Sequence, residues 1–378
     1  MTFTTQEVNA FALSFADALV SAKSKAEVQA SNDALFKGSE VKPTMISAAV
    51  GDLFKHTDRP FKDVTKQMPV AQWPLLPASI CEIDEDYFFR LNLLQDILIF
   101  IQEPTEFGLW LSGEKGTGKT SVLEQITARL GRKLYQETGS AKTEYFDLFG
   151  MHVPIGNGKT RFMAGGLLLA MREGGVFVLN EADAMLPSEQ IKLNEIISGK
   201  ACYVPQLEEW IYPHKDFRFA ATGNTNGSGD DSGNYLGTNR MNSAFMDRFM
   251  SVVVEYLPKE VEVELLKLVL NKFVKQKGLD KNPHFNLKTY EAFCDEMVEV
   301  ATLVRQAVKS QSGASSVLSI RGLKRWLLLV VQNTKMDGMN TLKAAFMKAY
   351  GNSLTEVERI TALELCVDVF GDQFNTAS

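Results

Sequence analysis

The sequence predicts an α/β fold: an αβα sandwich on a mainly parallel sheet, preceded by a small helical region and followed by a helical domain. Three observations predict it. Residues 81–257 alternate strand-like and helix-like patterns, as a parallel sheet with helices on both faces requires. Residues 258–378 carry helical periodicity and no convincing strand. A glycine-rich segment, Gly113 to Thr120, lies between a short apolar run and an amphipathic stretch, the position of a loop that turns a strand into a helix.

Taken in order, residues 1–80 form the small helical region. Thr4 and Glu7 fit a capping box, and Val8, Phe11, Ala12, Phe15, Ala16, Leu19 and Val20 follow one helical face. A second helical stretch is expected near residues 45–56. From Met68 to Ser79 the chain carries Pro69, Pro74 and Pro77, which disfavour regular structure and mark a linker.

In residues 81–257, Phe107 to Leu111 reads as a strand. Lys119 to Leu130 is a helix with Val122, Ile126 and Leu130 on one face, and Lys133 to Gln136 is a second strand. Val176 to Leu179 is continuously apolar, as expected of a strand buried on both faces. Phe217 to Thr222 and Ser251 to Tyr256 are further strands. Asn157-Gly158 is a strong hairpin turn signal. In residues 258–378, Val261–Phe273, Tyr290–Val308, Ile320–Val331 and Thr355–Phe370 read as helices.

Composition narrows the chemistry. The chain has 378 residues, 45% apolar and 23% charged, with a formal net charge of −6. An acidic chain is poorly suited to a sequence-independent grip on nucleic acid, which depends on displacing counterions with basic surface. Cys81, Cys202, Cys294 and Cys366 are far apart and His56, His152, His214 and His284 are scattered, so neither a disulfide framework nor a metal site is expected. The N-terminus lacks the basic start and apolar run of a secretory signal, and the longest apolar run, Trp326 to Val331, is too short to cross a bilayer. A soluble, cytoplasmic protein with no membrane partner is expected.

The segment Gly113-Glu114-Lys115-Gly116-Thr117-Gly118-Lys119-Thr120, with Ser121 after it, matches GxxxxGK[ST]. Its glycines let the backbone approach phosphate closely, and its amides and the following helix N-terminus face the anion. Lys119 is expected to reach the β- and γ-phosphates of ATP, and Thr120 to ligate Mg²⁺. A chance match is expected in roughly one chain in a hundred of this length, so the strand-to-helix context adds weight.

A second motif, Val176-Phe177-Val178-Leu179-Asn180-Glu181, is a buried strand ending in polar residues. In nucleotide hydrolases with such a loop this strand delivers an acid to the Mg²⁺ shell, and a following Glu polarises the attacking water. Glu181 is present, but the metal-side position is Asn180. Asn180 can orient a Mg²⁺-bound water by hydrogen bonding without adding charge, so weaker Mg²⁺ binding and slower hydrolysis are expected.

Together with a third series these motifs resemble the AAA+ ATPases of the MoxR branch, most nearly the ATPase subunits of cobaltochelatase (CobS). The series runs Ala221-Thr222-Gly223-Asn224-Thr225-Asn226-Gly227-Ser228-Gly229-Asp230, then Tyr235-Leu236-Gly237-Thr238 and Met246-Asp247-Arg248-Phe249. The resemblance covers residues 82–330. It implies roles for Asn224 as the sensor near the γ-phosphate and for Arg248 as an arginine finger supplied by the neighbouring subunit, with Arg240 a weaker second candidate. It implies that Arg321 is a second sensor, opening a helix whose Ile320, Leu323, Leu327 and Val330 form the buried face. It also implies that the hairpin around Asn157-Gly158 projects toward a central pore, with Val153, Ile155, Lys159, Arg161 and Phe162 as candidate client contacts. The assembly it implies is a homo-oligomeric, hexameric ring. That ring would act on a protein client or on a partner with a von Willebrand A-type domain.

Three functional readings follow. The first is an ATP-hydrolysing ring subunit that remodels a partner protein. The second is a nucleotide-dependent scaffold with weak hydrolysis, kept open by Asn180. The third is a DNA-translocating motor, which the acidic balance disfavours.

Overall fold

A computed structural model describes residues 42–103, 106–227, 229, 239–282, 285–310, 312, 314–333 and 341–374. The helix expected over Thr4–Val20 and the Tyr235-Leu236-Gly237-Thr238 stretch lie outside them. The chain divides into two units, Met45–Ala71 with Pro77–Ser378, and Met1–Thr44 with Gln72–Leu76. Apart from Thr44 and Gln72, the first holds the architecture that follows.

The elements are β1 (Thr44–Ala49), α1 (Val50–Leu53), β2 (Gln67–Gln72), α2 (Leu91–Gln102), β3 (Gly108–Ser112), α3 (Lys119–Arg129) and β4 (Leu134–Thr138). Next come β5 (Gly150–Gly156), β6 (Lys159–Ala164), α4 (Gly166–Glu173), β7 (Val176–Asn180), α5 (Pro187–Gln190), α6 (Asn194–Ile197), β8 (Cys202–Val204) and β9 (Glu209–Ile211). The chain continues through β10 (Arg218–Gly223), α7 (Ser243–Met246), β11 (Phe249–Val253), α8 (Lys259–Lys277), α9 (Leu287–Lys309), α10 (Ile320–Asn333), α11 (Thr341–Ala349) and α12 (Glu356–Phe370).

Five strands form one parallel sheet in the order β11-β3-β10-β7-β4. Burial explains their sequences. Central β3 and β10 are buried along their whole length, whereas edge strands β4 and β11 expose some residues. Continuous apolar runs therefore mark the middle of the sheet and mixed ones its edges. Alternate side chains feed two cores: Trp110, Phe177, Leu179, Phe219 and Ala221 belong to one, and Leu109, Leu111, Val176, Val178 and Ala220 to the other. A third core, from Val263 to Phe374, is built by α8–α12 around Trp326 and Phe346. No helix among the described residues is long and apolar enough to cross a membrane.

Two expectations at the front of the chain are corrected. Residues 45–49 are a strand, not a helix, and only the single turn α1 follows. β1 forms a two-stranded sheet with β2, and this tertiary pairing overrides local helical preference. The proline-marked linker begins with β2, which contains Pro69. Pro69 is tolerated because a two-stranded ribbon has only edges, where a missing N–H breaks no ladder on the open side. Met68 and Val70 are buried with Val50 and Phe54 in the same core as Leu109 and Leu111.

Elsewhere the last strand starts earlier than expected, at Phe249, because it pairs in register with Gly108. Helices α2, α4 and α11 and the β8–β9 hairpin go beyond the elements expected from sequence. The β5–β6 hairpin turns at Asn157-Gly158, both with positive φ (50° and 68°), as a type I′ turn requires.

Candidate functional site

The site lies at the carboxyl ends of β3, β7 and β10, where parallel α/β sheets place their ligands. The loop from Gly113 to Thr117 leaves β3, and Gly118, in the left-handed region (φ 91°), starts α3. Two glycines are dictated by space. A Cβ on Gly113 would stand 2.2 Å from the Val254 carbonyl oxygen, and one on Gly116 would stand 2.4 Å from Ser319 Cβ. The loop is held from outside: Tyr256 Oη donates to the Lys115 carbonyl at 2.8 Å, and an Arg90 guanidinium nitrogen to the Thr117 carbonyl at 3.1 Å. Thr117 Oγ1 donates to the Glu114 carbonyl at 3.0 Å.

Lys119 Nζ donates to the carbonyls of Gly113 (2.6 Å) and Glu114 (3.1 Å) and to Asn224 Oδ1 (3.1 Å). Burial pushes its ammonium down to about 8, opposed by the carboxylates of Asp183, Glu181 and Glu114 and reinforced by Arg321. Thr120 Oγ1 donates to Asn180 Oδ1 at 2.6 Å. The Asn180 side chain is fixed at its other end, where Nδ2 donates to Gln136 Oε1 at 3.1 Å, and Thr222 Oγ1 also reaches Oδ1 at 3.3 Å.

Glu181 adopts left-handed backbone angles (φ 51°, ψ 41°), a conformation uncommon for a non-glycine residue and concentrated at functional positions. Its amide donates to Thr222 Oγ1 at 3.2 Å, and its side chain is exposed. Asn224 is placed by a residue that the sequence did not single out. Asp183 is fully buried, and its Oδ2 accepts from the amides of Asn224 (2.7 Å) and Thr225 (3.1 Å). The available signal was the charged end of Asn-Glu-Ala-Asp, three residues beyond Asn180. Gln136 and Thr222 also escaped notice, since a polar residue on a strand is informative only once its neighbours are known.

Arg321 opens α10 close to the loop: Ser319, two residues before it, faces Gly116, and Arg321 acts electrostatically on Lys119. Arg248 is not brought to this site. It immediately precedes β11, and its carbonyl accepts from the amide of Gly108, the first residue of β3. It therefore stands one strand length, about 16 Å, from its own phosphate loop. Its guanidinium donates to the Ala244 carbonyl, and Arg240 is exposed. On the β5–β6 hairpin Ile155, Lys159 and Arg161 are exposed, while Val153 and Phe162 are half-buried, Phe162 against the His152 ring.

The loop fits a polyphosphate. Among the described residues nothing accepts from the amides of Gly118, Lys119, Thr120 or Ser121, the free donors of a helix N-terminus that bind anions. Beside them stand one ammonium and one hydroxyl, and a Cβ at Gly113 or Gly116 would force the cradle to shift.

The family model "AAA domain (dynein-related subfamily)" matches residues 108–249, from the first residue of β3 to the first of β11. Residues 108–249 are thus similar to an AAA domain. It is 29% identical over 300 residues to the aerobic cobaltochelatase subunit CobS of Sinorhizobium sp, covering 78% of this chain and 84% of that one. It is also 29% identical over 179 residues to midasin of Dictyostelium discoideum, a match that spans 47% of this chain and 3% of midasin. An uncharacterised protein of Staphylococcus haemolyticus is 26% identical over 162 residues, 42% of this chain and 59% of that one.

Proposed function

We propose that the chain is an ATP-hydrolysing subunit of a homo-oligomeric ring, hexameric by resemblance, that remodels a partner protein. The observation that carries this reading is the convergence of Lys119, Thr120, Asn180 and Asn224 at the ends of α3, β7 and β10, linked by hydrogen bonds. Bound Mg²⁺-ATP supplies the phosphoanhydride to be cleaved and the cation that offsets its charge. The residues Gly113 to Ser121 hold the phosphates through backbone amides, and the Lys119 ammonium exchanges its carbonyl partners for the terminal phosphates. Thr120 and Asn180 would hold the Mg²⁺ that offsets the phosphate charge.

Glu181 orients the attacking water and accepts its proton, and Asn224 fixes the water's place beside the γ-phosphate. Arg321 contributes charge from the helical side. Arg248 stands too far from its own loop to act there and serves the adjoining subunit, so each site is complete only at an interface. Hydrolysis then moves the helical domain against the sheet. The exposed β5–β6 hairpin is the proposed client contact. The name of CobS points to a chelatase complex for that protein; for this chain a von Willebrand A-type partner is one candidate client.

A second reading, a scaffold that binds ATP and barely hydrolyses it, is favoured by the uncharged Asn180. Steady-state hydrolysis with saturating Mg²⁺-ATP separates the two. The motor reading expects turnover that drops about 10²- to 10⁴-fold in Glu181→Gln while ATP binding persists. Binding without turnover in the unmodified protein contradicts the motor and leaves the scaffold.

A further inference from the structure

Helix α9 carries a buried cation that the mechanism above does not use. Arg305 is 8% exposed and reaches three partners. It donates to Glu262 Oε2 on α8 at 2.8 Å and to the Leu318 carbonyl at 3.1 Å. Its guanidinium lies over the Tyr256 ring, 3.8 Å from the centroid. Tyr256 in turn donates to the Lys115 carbonyl of the phosphate loop. Leu318 is followed by Ser319, which faces Gly116, and by Arg321. One guanidinium thus touches both the residue that clamps the loop and the carbonyl that precedes the start of α10.

Two further observations point the same way. One turn along α9, Lys309 approaches Glu114 of the loop at 3.8 Å. The Arg305–Glu262 pair also leaves Glu262 Oε1 and one Arg305 terminal nitrogen without a partner among the described residues. These two side chains line a cavity of about 250 Å³ together with Tyr256, Thr302 and Lys309. A buried ion pair that is incompletely satisfied is a poor source of stability, so its placement calls for another role.

We infer that Arg305 is a positioning residue: through Tyr256 and the Leu318 carbonyl it sets the phosphate loop and the start of α10 against each other, so that nucleotide affinity depends on a contact outside the nucleotide site. The inference rests on the nucleotide reading above and deepens it, by naming the strut through which the helical domain and the loop sense one another.

The test separates positioning from stability. Replacing the pair with Glu262→Met and Arg305→Met together removes both charges and leaves apolar volume, a change that commonly keeps or raises stability. The expected result is an unchanged or higher unfolding temperature with ATP affinity, measured by titration calorimetry, lowered about 3- to 10-fold. Tyr256→Phe, which removes only the hydroxyl, is expected to lower affinity by a similar factor. Added to the double methionine variant it is expected to lower it little further, because both act along one path. Unchanged affinity in Tyr256→Phe, or fully multiplicative losses, overturns the inference while the nucleotide reading stands. If the unmodified protein binds no ATP, both fall together. Should the methionine pair fail to fold, Tyr256→Phe alone decides.

Discussion

Thr120 Oγ1 donates to Asn180 Oδ1 at 2.6 Å, joining the phosphate loop to the end of β7 through an uncharged partner. With Asn180 Nδ2 tied to Gln136, the amide oxygen is oriented toward the hydroxyl. In the proposed site Asn180 would stand beside the cation without the usual negative charge. Asn180→Asp is therefore expected to lower the magnesium concentration for half-maximal hydrolysis about fivefold or more, since charge-assisted contacts are roughly twice as strong as neutral ones. Titrating Mg²⁺ at fixed ATP checks this. An unchanged midpoint means that Asn180 does not face the cation.

The Lys119 ammonium gives a pH signature. Burial pushes it down to about 8 from an ordinary 10.5. Below pH 8 it is charged both free and bound. Above pH 8 the free protein loses this proton, while polyphosphate favours the charged form, so binding takes up a proton. ATP affinity without magnesium is expected to be nearly level from about pH 7 to 8, where the terminal phosphate is already ionised, and to fall above it, by up to about tenfold per pH unit. Calorimetry in buffers of different ionisation enthalpy reads the proton directly. Lys119→Arg, charged throughout, is expected to flatten the profile.

Arg248 lies beside Gly108, at the opposite end of β3 from the loop it would serve in a neighbour. Arg248→Ala alone is expected to lower turnover about 10³-fold or more, and Lys119→Ala to abolish it. Mixing the two inactive variants under exchange conditions should restore activity, because an intact finger then meets an intact loop at about a quarter of random interfaces. A mixture as inactive as its parts rules out action in trans.

The sheet was legible because its central strands are buried on both faces, leaving unbroken apolar runs such as Val176 to Leu179. The loop was legible because its spacing is fixed by backbone angles that few residues adopt. What escaped was set by partners distant in sequence. Pro69 reads as a breaker until β1 is seen beside it, and Asp183 reads as one more surface acid until it is found at 0% exposure under Asn224. Arg305 gave no signal at all, since a helical arginine is ordinarily solvated and only the fold puts it over Tyr256.

In the proposed site a triphosphate settles on the amides of Gly118 to Ser121 with the Lys119 ammonium against it. Isothermal titration of the whole chain with Mg²⁺-ATP tests this most directly. Saturable binding of one nucleotide per chain is expected, weakened about 100-fold or more by Lys119→Ala, the loss expected for a charged group paired with phosphate. No saturable heat, or equal affinity in Lys119→Ala, contradicts it.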